Sequence, residues 1–250
     1  MKFFKLLILC LAAAAFSMPA AAEEPVAPKF KGSATVAYWM GKYSMEAVGS
    51  SSDSSNQKFI PIVNADFKYE QNLDIAVEFG DAKRSKVSRD GVEDQDYTVR
   101  SERRLIGLKY KIPGKPGSYA SVSWRSNKFN LRDFSAPVDL KTVKVKGVRL
   151  GIGTKHKLKD KPYTLNADFG YGIMAKADIK SSRFGAWNPN VKTIDGNLGV
   201  TLTGTKYKYR PLIGYRFENN DISSYMLNGV AMPGISIKNK GIYLGAEFEI

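Results

Sequence analysis

The chain has 250 residues with 38 basic and 24 acidic side chains, a formal net charge of +14, one cysteine and one histidine. This length fits a single domain, the lone cysteine excludes an intramolecular disulfide, and the lone histidine excludes a metal site built from clustered histidines. The positive balance favours anionic partners.

The first 22 residues differ in composition from the rest. Lys2 and Lys5 precede an apolar run of 11 residues at 6–16, and small residues follow at 20–22. This order is typical of a cleaved secretory signal, and the run is too short for a membrane-spanning helix. Cleavage near Ala22 would leave residues 23–250 as one domain without cysteine. Removing the two lysines leaves 36 basic and 24 acidic residues, a charge of +12, and an exported chain is not expected to bind nucleic acid.

Alternation of apolar and polar side chains with a period of two dominates the remaining sequence, and it predicts half-buried strands. The connections between the predicted strands are alternately short and long for most of the chain, as in an outer-membrane barrel. No segment after the signal is long and apolar enough for a spanning helix. We therefore predict an all-β, antiparallel up-and-down transmembrane β-barrel of about ten strands, with eight or twelve possible and a secreted soluble β-protein as the alternative. The ten segments lie near 30–47, 58–70, 73–80, 97–112, 118–132, 141–157, 163–178, 193–205, 210–220 and 237–250.

Aromatic side chains flanked by lysines recur at strand ends beside the short turns. Tyr69, Tyr110 and His156 share the outward phase of their strands. Rings that sit among lipid headgroups while neighbouring cations stay hydrated suit a membrane interface, so these three are predicted girdle residues. Tyr207 has the opposite phase, which predicts a bulge near Gly204.

The last strand carries a further pattern at Tyr243, Gly245, Phe248 and Ile250. This pattern resembles the terminal assembly signal of outer-membrane barrels. With the signal segment and the alternating connections, the chain resembles the small bacterial outer-membrane β-barrel superfamily. The resemblance implies recognition by the barrel-assembly machinery and residence in the bacterial outer membrane, in contact with its lipid and lipopolysaccharide. No cofactor is expected.

Charged residues of both signs fall at positions that the alternation predicts to face the barrel interior. They could line an ion-conducting lumen, or they could fill a narrow barrel as a ladder of ion pairs, since about eight to ten strands enclose little more than side chains. Inward glycines could leave room for water or make space for a neighbouring arginine or tyrosine. The predicted inward residues are Asp66, Glu78, Lys109, Arg125, Arg149, Asp168, Arg216 and Glu247.

A basic segment occupies the predicted loop 81–96 and continues into the strand that follows. It is a candidate site for lipopolysaccharide phosphates or an acidic glycan, and ordinary loop polarity is the alternative explanation. The candidate residues are Lys83, Arg84, Lys86, Arg89, Arg103 and Arg104.

Three functions fit these observations. The first is a non-enzymatic surface or membrane-organising barrel, adhesin-like, that binds anionic partners through basic loops; the second is a narrow porin that prefers anions. The third, an outer-membrane enzyme, is disfavoured. Outer-membrane enzymes pair histidine with acidic residues or serine, whereas His156 is predicted to face outward at the tight-turn end. The same phase predicts that Leu150 faces lipid and Arg149 the interior.

Overall fold

The computed structural model describes residues 31–47, 52–89, 92–133, 139–181, 185–203, 209–227 and 229–249. These residues form an all-β protein, and none of them belongs to a helix long and apolar enough to cross a membrane. The predicted signal segment, the bulge near Gly204, Tyr207 and Ile250 lie outside the described residues. The strands are β1 (Gly32–Ala47), β2 (Ser52–Glu70), β3 (Leu73–Asp81), β4 (Ser85–Arg89), β5 (Val92–Lys111), β6 (Ser118–Asp133), β7 (Asp139–Lys157), β8 (Tyr163–Ser181), β9 (Gly185–Trp187), β10 (Asn190–Leu202), β11 (Tyr209–Ile222), β12 (Tyr225–Leu227), β13 (Val230–Met232) and β14 (Ile235–Glu249).

Ten long strands in the described part of the chain close into an antiparallel barrel, in the order β1, β14, β11, β10, β8, β7, β6, β5, β3 and β2. Closure is made by β1, in which Ala34 lies opposite Phe248 of β14 and opposite Ala65 of β2. Closure removes the unpaired edges that an open sheet would leave in hydrocarbon. The predicted fold class and strand number are confirmed.

Two ends of the barrel differ in their connections, and we call them the tight-turn end and the long-loop end. At the tight-turn end, Gly114 and Gly117 have φ of 72° and 77°. A side chain at Gly117 would place its Cβ 2.1 Å from the Lys155 carbonyl oxygen, so this turn requires glycine. At the long-loop end, the connections contain the short strands β4, β9, β12 and β13.

The prediction of a loop over 81–96 is wrong for most of that range. β4 pairs with both β2 and β5, and β5 begins already at Val92. Val87 is fully buried while Lys86 is exposed, so the alternation of a strand continues into this segment. Burial of Val87 against the interior and pairing on both edges explain why the segment is sheet rather than loop.

The apolar residues change sides partway along the strands. On β7, Leu150 and Ile152 face outward and are 46% and 64% exposed, whereas Val143 and Val145 face inward and are at most 1% exposed. β6 shows the same change between outward Trp124 and inward residues nearer its other end. The barrel therefore has an apolar outer band in its tight-turn half and an apolar interior in its long-loop half.

That interior apolar core closes the long-loop half of the barrel. The rings of Tyr43 and Phe129 pack with centroids 5.9 Å apart, and Trp187 and Tyr225 pack on the core with centroids 5.8 Å apart. Burial raises the pKa of Tyr225. The core comprises Tyr43, Val87, Val99, Phe129, Leu131, Val143, Val145, Ala175, Ala177, Ile179, Val191, Ile222, Ile235 and Ile237.

Candidate functional site

A network of charged side chains fills the middle of the barrel, beneath the apolar core. Each member occupies an inward position of its strand, because alternate residues of a strand face the same side. Four arginines and four carboxylates of the described chain take part, so their formal charges cancel. They are Arg103, Arg125, Arg149, Arg216, Glu78, Asp168, Asp195 and Glu218.

One half of the network is centred on Arg103, which is 6% exposed. Its guanidinium donates to Glu78 of β3 and to Glu218 of β11, so it joins opposite walls of the barrel. Arg216 donates from Nη2 to Glu78 Oε1 at 2.6 Å, and its guanidinium lies 5.4 Å from the ring centroid of Trp39. Glu78 is thus held by two arginines at once.

The other half is centred on Asp195, which is 3% exposed. Arg125 pairs with Asp195 and lies 3.4 Å from Glu218. Arg149 donates from Nε to Asp195 Oδ1 at 2.9 Å and also pairs with Asp168. Charges taken out of water are tolerated when each is paired and hydrogen-bonded, as here, and the loss of one partner leaves another charge uncompensated.

Inward glycines make space for this network. A Cβ on Gly170 would lie 2.1 Å from Arg149 Nε, and one on Gly151 would lie 2.4 Å from Arg149 Nη1. At Gly199 a Cβ would lie 2.3 Å from the Tyr243 hydroxyl. The sequence left two explanations open for the inward glycines, room for water or space for a neighbouring side chain. At these three positions the structure supports the second, because the glycine makes space for an arginine or a tyrosine.

A polar cavity of about 150 Å³ lies in the tight-turn half, between the network and the turns. Ion pairs line it, between Lys109 and Asp66 at 2.7 Å and between Lys155 and Glu247 at 3.0 Å. The Ser121 hydroxyl oxygen is buried at its wall without a partner among the described residues. A polar cavity of this size holds several waters, since one water needs about 10–15 Å³. We call this space the vestibule.

All eight residues that were predicted to face the interior lie inside the barrel, in the network or around the vestibule. Sequence reasoning missed Asp195 and Glu218. Asp195 has the same inward phase on β10 as Gly199, and Glu218 has the same inward phase on β11 as Arg216, so alternation alone could have found both. The assignment of Arg103 to a surface binding site is wrong. Arg103 shares the inward phase of Lys109 on β5, and that phase carries it into the network.

The other basic candidates lie on the outside. Lys83, Arg84 and Lys86 are exposed around the start of β4, and Arg84 donates from Nη1 to Thr98 Oγ1 at 3.1 Å. Arg104 lies on the outer wall over Phe79, 5.8 Å from the ring centroid. The Arg89 side chain is outside the described part of the structure.

The candidate girdle and assembly residues lie near the tight-turn end. Tyr69, Tyr110 and His156 are exposed on the outer wall. On β14, Phe248 faces outward and Tyr243 faces inward against the glycines beside it. Among the described residues, no group of three histidine, cysteine, aspartate or glutamate side chains is placed to hold a metal ion.

No protein-family model matches the chain, and no curated protein matches it. Among solved structures, it is similar to the outer membrane protease OmpT from Escherichia coli, at 9% sequence identity with a TM-score of 0.59, over 92% of this chain and 99% of that chain. It is also similar to the translocator domain of the autotransporter NalP from Neisseria meningitidis, at 13% identity and a TM-score of 0.46 over 99% and 95% of the two chains. It is also similar to the outer membrane protein AlkL, at 11% identity and a TM-score of 0.45 over 94% of this chain and 96% of that chain. The likeness to OmpT shows an outer-membrane β-barrel fold and, at this identity, the fold alone.

Proposed function

We propose that the chain spans the bacterial outer membrane as a non-conducting, non-enzymatic barrel that organises the membrane surface and presents a basic face at its long-loop end. The observation that carries this proposal is the filling of the interior, where a neutral network of paired charges lies beneath a packed apolar core. The apolar outer band supports the membrane location, because only a bilayer covers such a surface on a closed barrel.

Ion passage is opposed at two successive levels. An ion in the vestibule first meets the paired arginines and carboxylates, and separating them would leave buried charges without partners. Above them it meets a layer of apolar side chains that includes Val99, Val143 and Ile237, all fully buried, which cannot replace the hydration shell of a charge. The narrow anion-preferring porin is therefore the second candidate.

An enzymatic function has little support in the interior chemistry. His156, the only histidine, is exposed on the outer wall near the tight-turn end, on the opposite face of the sheet from the inward carboxylates. Each of the four carboxylates of the network is paired with an arginine, and this pairing opposes a role as a general base. The similarity to a protease concerns the fold and adds no catalytic residue.

The exposed basic side chains around β4 are the surface with which we propose that the barrel meets anionic glycans. Lys86 lies on β4 directly opposite Thr98 of β5, and Lys83 lies two residues before that strand begins, so both are held closer to the sheet than in an open loop. A fixed pair of cations loses less conformational freedom when it binds sulfate, phosphate or carboxylate groups.

Single-channel recording of the purified, folded barrel in a planar bilayer tests the central claim. Folding is established first by the change in gel mobility on heating. We expect no discrete conductance steps from a folded sample. Anion-selective steps would replace the proposal with the porin, and their loss in Lys109→Gln would then identify the vestibule as the conduction path.

A further inference from the structure

Four lysines cluster on the outer wall at the level where the apolar residues change sides. Lys128 of β6 lies directly opposite Lys144 of β7, and Lys146 of β7 lies directly opposite Lys176 of β8. All four have the outward phase of their strands. We call Lys128, Lys144, Lys146 and Lys176 the lysine patch.

The lysine patch is only partly neutralised by the protein. Asp178 lies directly opposite Lys144 but pairs with Lys146 at 2.5 Å, and Glu102 lies opposite Lys128 at a distance of 4.0 Å. Within the described part of the chain, no carboxylate lies within 4.0 Å of the Nζ atom of Lys144 or Lys176. Like charges directly opposite on neighbouring strands destabilise a sheet, so four lysines against two carboxylates make a site for an external anion.

The surroundings indicate what kind of anion fits. Immediately towards the tight-turn end, the wall is apolar, with Trp124 opposite Val148 and Leu150 opposite Tyr171. Trp124, Leu150 and Tyr171 are all exposed. A ligand that covers both surfaces carries hydrocarbon chains along the apolar wall and a negatively charged headgroup at the height of the lysines.

We infer that the lysine patch is a binding site for a diphosphorylated glycolipid of the outer leaflet, the lipid A part of lipopolysaccharide. Lys144 and Lys146 lie two residues apart, about 7 Å along β7, and the patch extends over three strands spaced about 4.8 Å apart. The two opposed lysine pairs can thus each receive one phosphate of the same headgroup. A lipid with one phosphate engages only one pair.

The inference rests on the proposed outer-membrane location and adds a partner and a site, distinct from the basic residues around β4. A second like-charge pair, Lys42 opposite Lys240, lies on the far wall, likewise two residues beyond the last outward apolar residues of its strands, Met40 and Ile242. It is a single pair, and Lys238 beside it is bonded to Glu46 at 3.0 Å. Lys42 and Lys240 therefore provide a matched control with the same change of charge at the corresponding position relative to the outward apolar residues of their strands.

The test compares the wild-type chain, the Lys144→Gln/Lys176→Gln variant and the Lys42→Gln/Lys240→Gln control in phosphatidylcholine vesicles. The vesicles contain, in separate arms and at equal phosphate, lipid A, monophosphoryl lipid A or phosphatidylglycerol. The readout is the temperature at which heat-modifiable gel mobility is lost. In phosphatidylcholine alone, the patch variant should be at least as stable as wild type because charge repulsion is relieved, which also establishes that it folds.

Lipid A should raise the transition temperature of the wild-type chain and of the control. The apparent affinity of the patch variant for lipid A should be about thirtyfold lower than that of the wild-type chain. This estimate assigns roughly 1 kcal/mol to each of the two lysines removed near a phosphate surface. A full lipid A effect in the patch variant would overturn the site. An equal effect of phosphatidylglycerol on the wild-type chain would overturn the lipid A assignment in favour of general attraction to anionic lipid.

These outcomes are separable from failure of the proposed function. A barrel that conducts ions but shows the patch-dependent lipid A effect leaves the binding site standing. A silent barrel without the effect removes the binding site alone.

Discussion

Replacement of Asp195 by asparagine removes one negative charge from the centre of the buried network. The carboxylate pairs with Arg125 and Arg149, and its side chain is almost completely shielded from water. The change is nearly isosteric, so packing is conserved and the effect is electrostatic. The network would change from neutral to one uncompensated positive charge.

The expected loss follows from what is left behind. Removing one partner of a buried ion pair typically costs about 3–5 kcal/mol of unfolding free energy, because the remaining charge is desolvated without compensation. Asp81→Asn is the matched control, since the pair of Asp81 with Arg100 has side chains 48% and 42% exposed and surface pairs contribute about 0–1 kcal/mol. The double variant Asp195→Asn/Arg125→Met restores neutrality, leaves Asp168 paired with Arg149 and Glu218 paired with Arg103, and should recover much of the loss.

Urea-induced unfolding of the three variants in lipid vesicles, followed by tryptophan fluorescence, measures these differences. A loss in Asp195→Asn no larger than that in Asp81→Asn would refute the claim that the network is buried and electrostatically closed. No recovery in the double variant would show that the loss comes from packing and not from charge.

Three further predictions concern other parts of the barrel. Leu150→Arg should cost about 2–4 kcal/mol at mid-membrane depth and reduce assembly, whereas Arg149→Leu should still insert. Heat-modifiable gel mobility of the membrane fraction measures the assembly of both variants. Normal assembly of Leu150→Arg together with failed insertion of Arg149→Leu would contradict the assigned facing of β7. Gly170→Ala should cost about 1–3 kcal/mol by displacing the Arg149 guanidinium, measured by urea unfolding, while an unchanged midpoint would show that Arg149 moves aside freely. Lys83→Gln/Lys86→Gln should elute from a heparin column at lower salt than wild type, and unchanged elution would exclude this surface as the glycan site.

The strands and their facing could be predicted because both are local properties of the sequence. Alternation along 141–157 predicts that Leu150 faces out and Arg149 in, and the structure agrees. The contact between Arg103 and Glu218 could not be predicted, since these residues are 115 positions apart and meet across the barrel. Which strands face each other depends on strand tilt and stagger, which alternation alone does not specify.

The sequence of β7 marks the level at which the apolar residues change sides. Val143 and Val145 occupy odd-numbered positions, whereas Val148, Leu150 and Ile152 occupy even-numbered positions. The apolar face of β7 therefore changes between Val145 and Val148. An apolar phase that changes within one continuous strand separates a membrane-covered segment from one that encloses its own core. This pattern indicates an apolar core inside the long-loop half.

The change of side also fixes how deep the barrel sits. A shift of the barrel by one pair of residues towards the tight-turn end would carry Lys146 and Lys176 into the acyl chains, and a shift the other way would bring Trp124 and Val148 into water. On β7 the outer band runs from Val148 to His156, eight steps along the strand or roughly 20 Å once the tilt of the strand is included. A bilayer with a hydrocarbon core of about 30 Å is taller than this, so a barrel of this height favours a thinner membrane or thins the lipid beside it. Such a barrel would act on its neighbours through the deformation of the membrane they share, and it would gather in regions where the membrane is already thin.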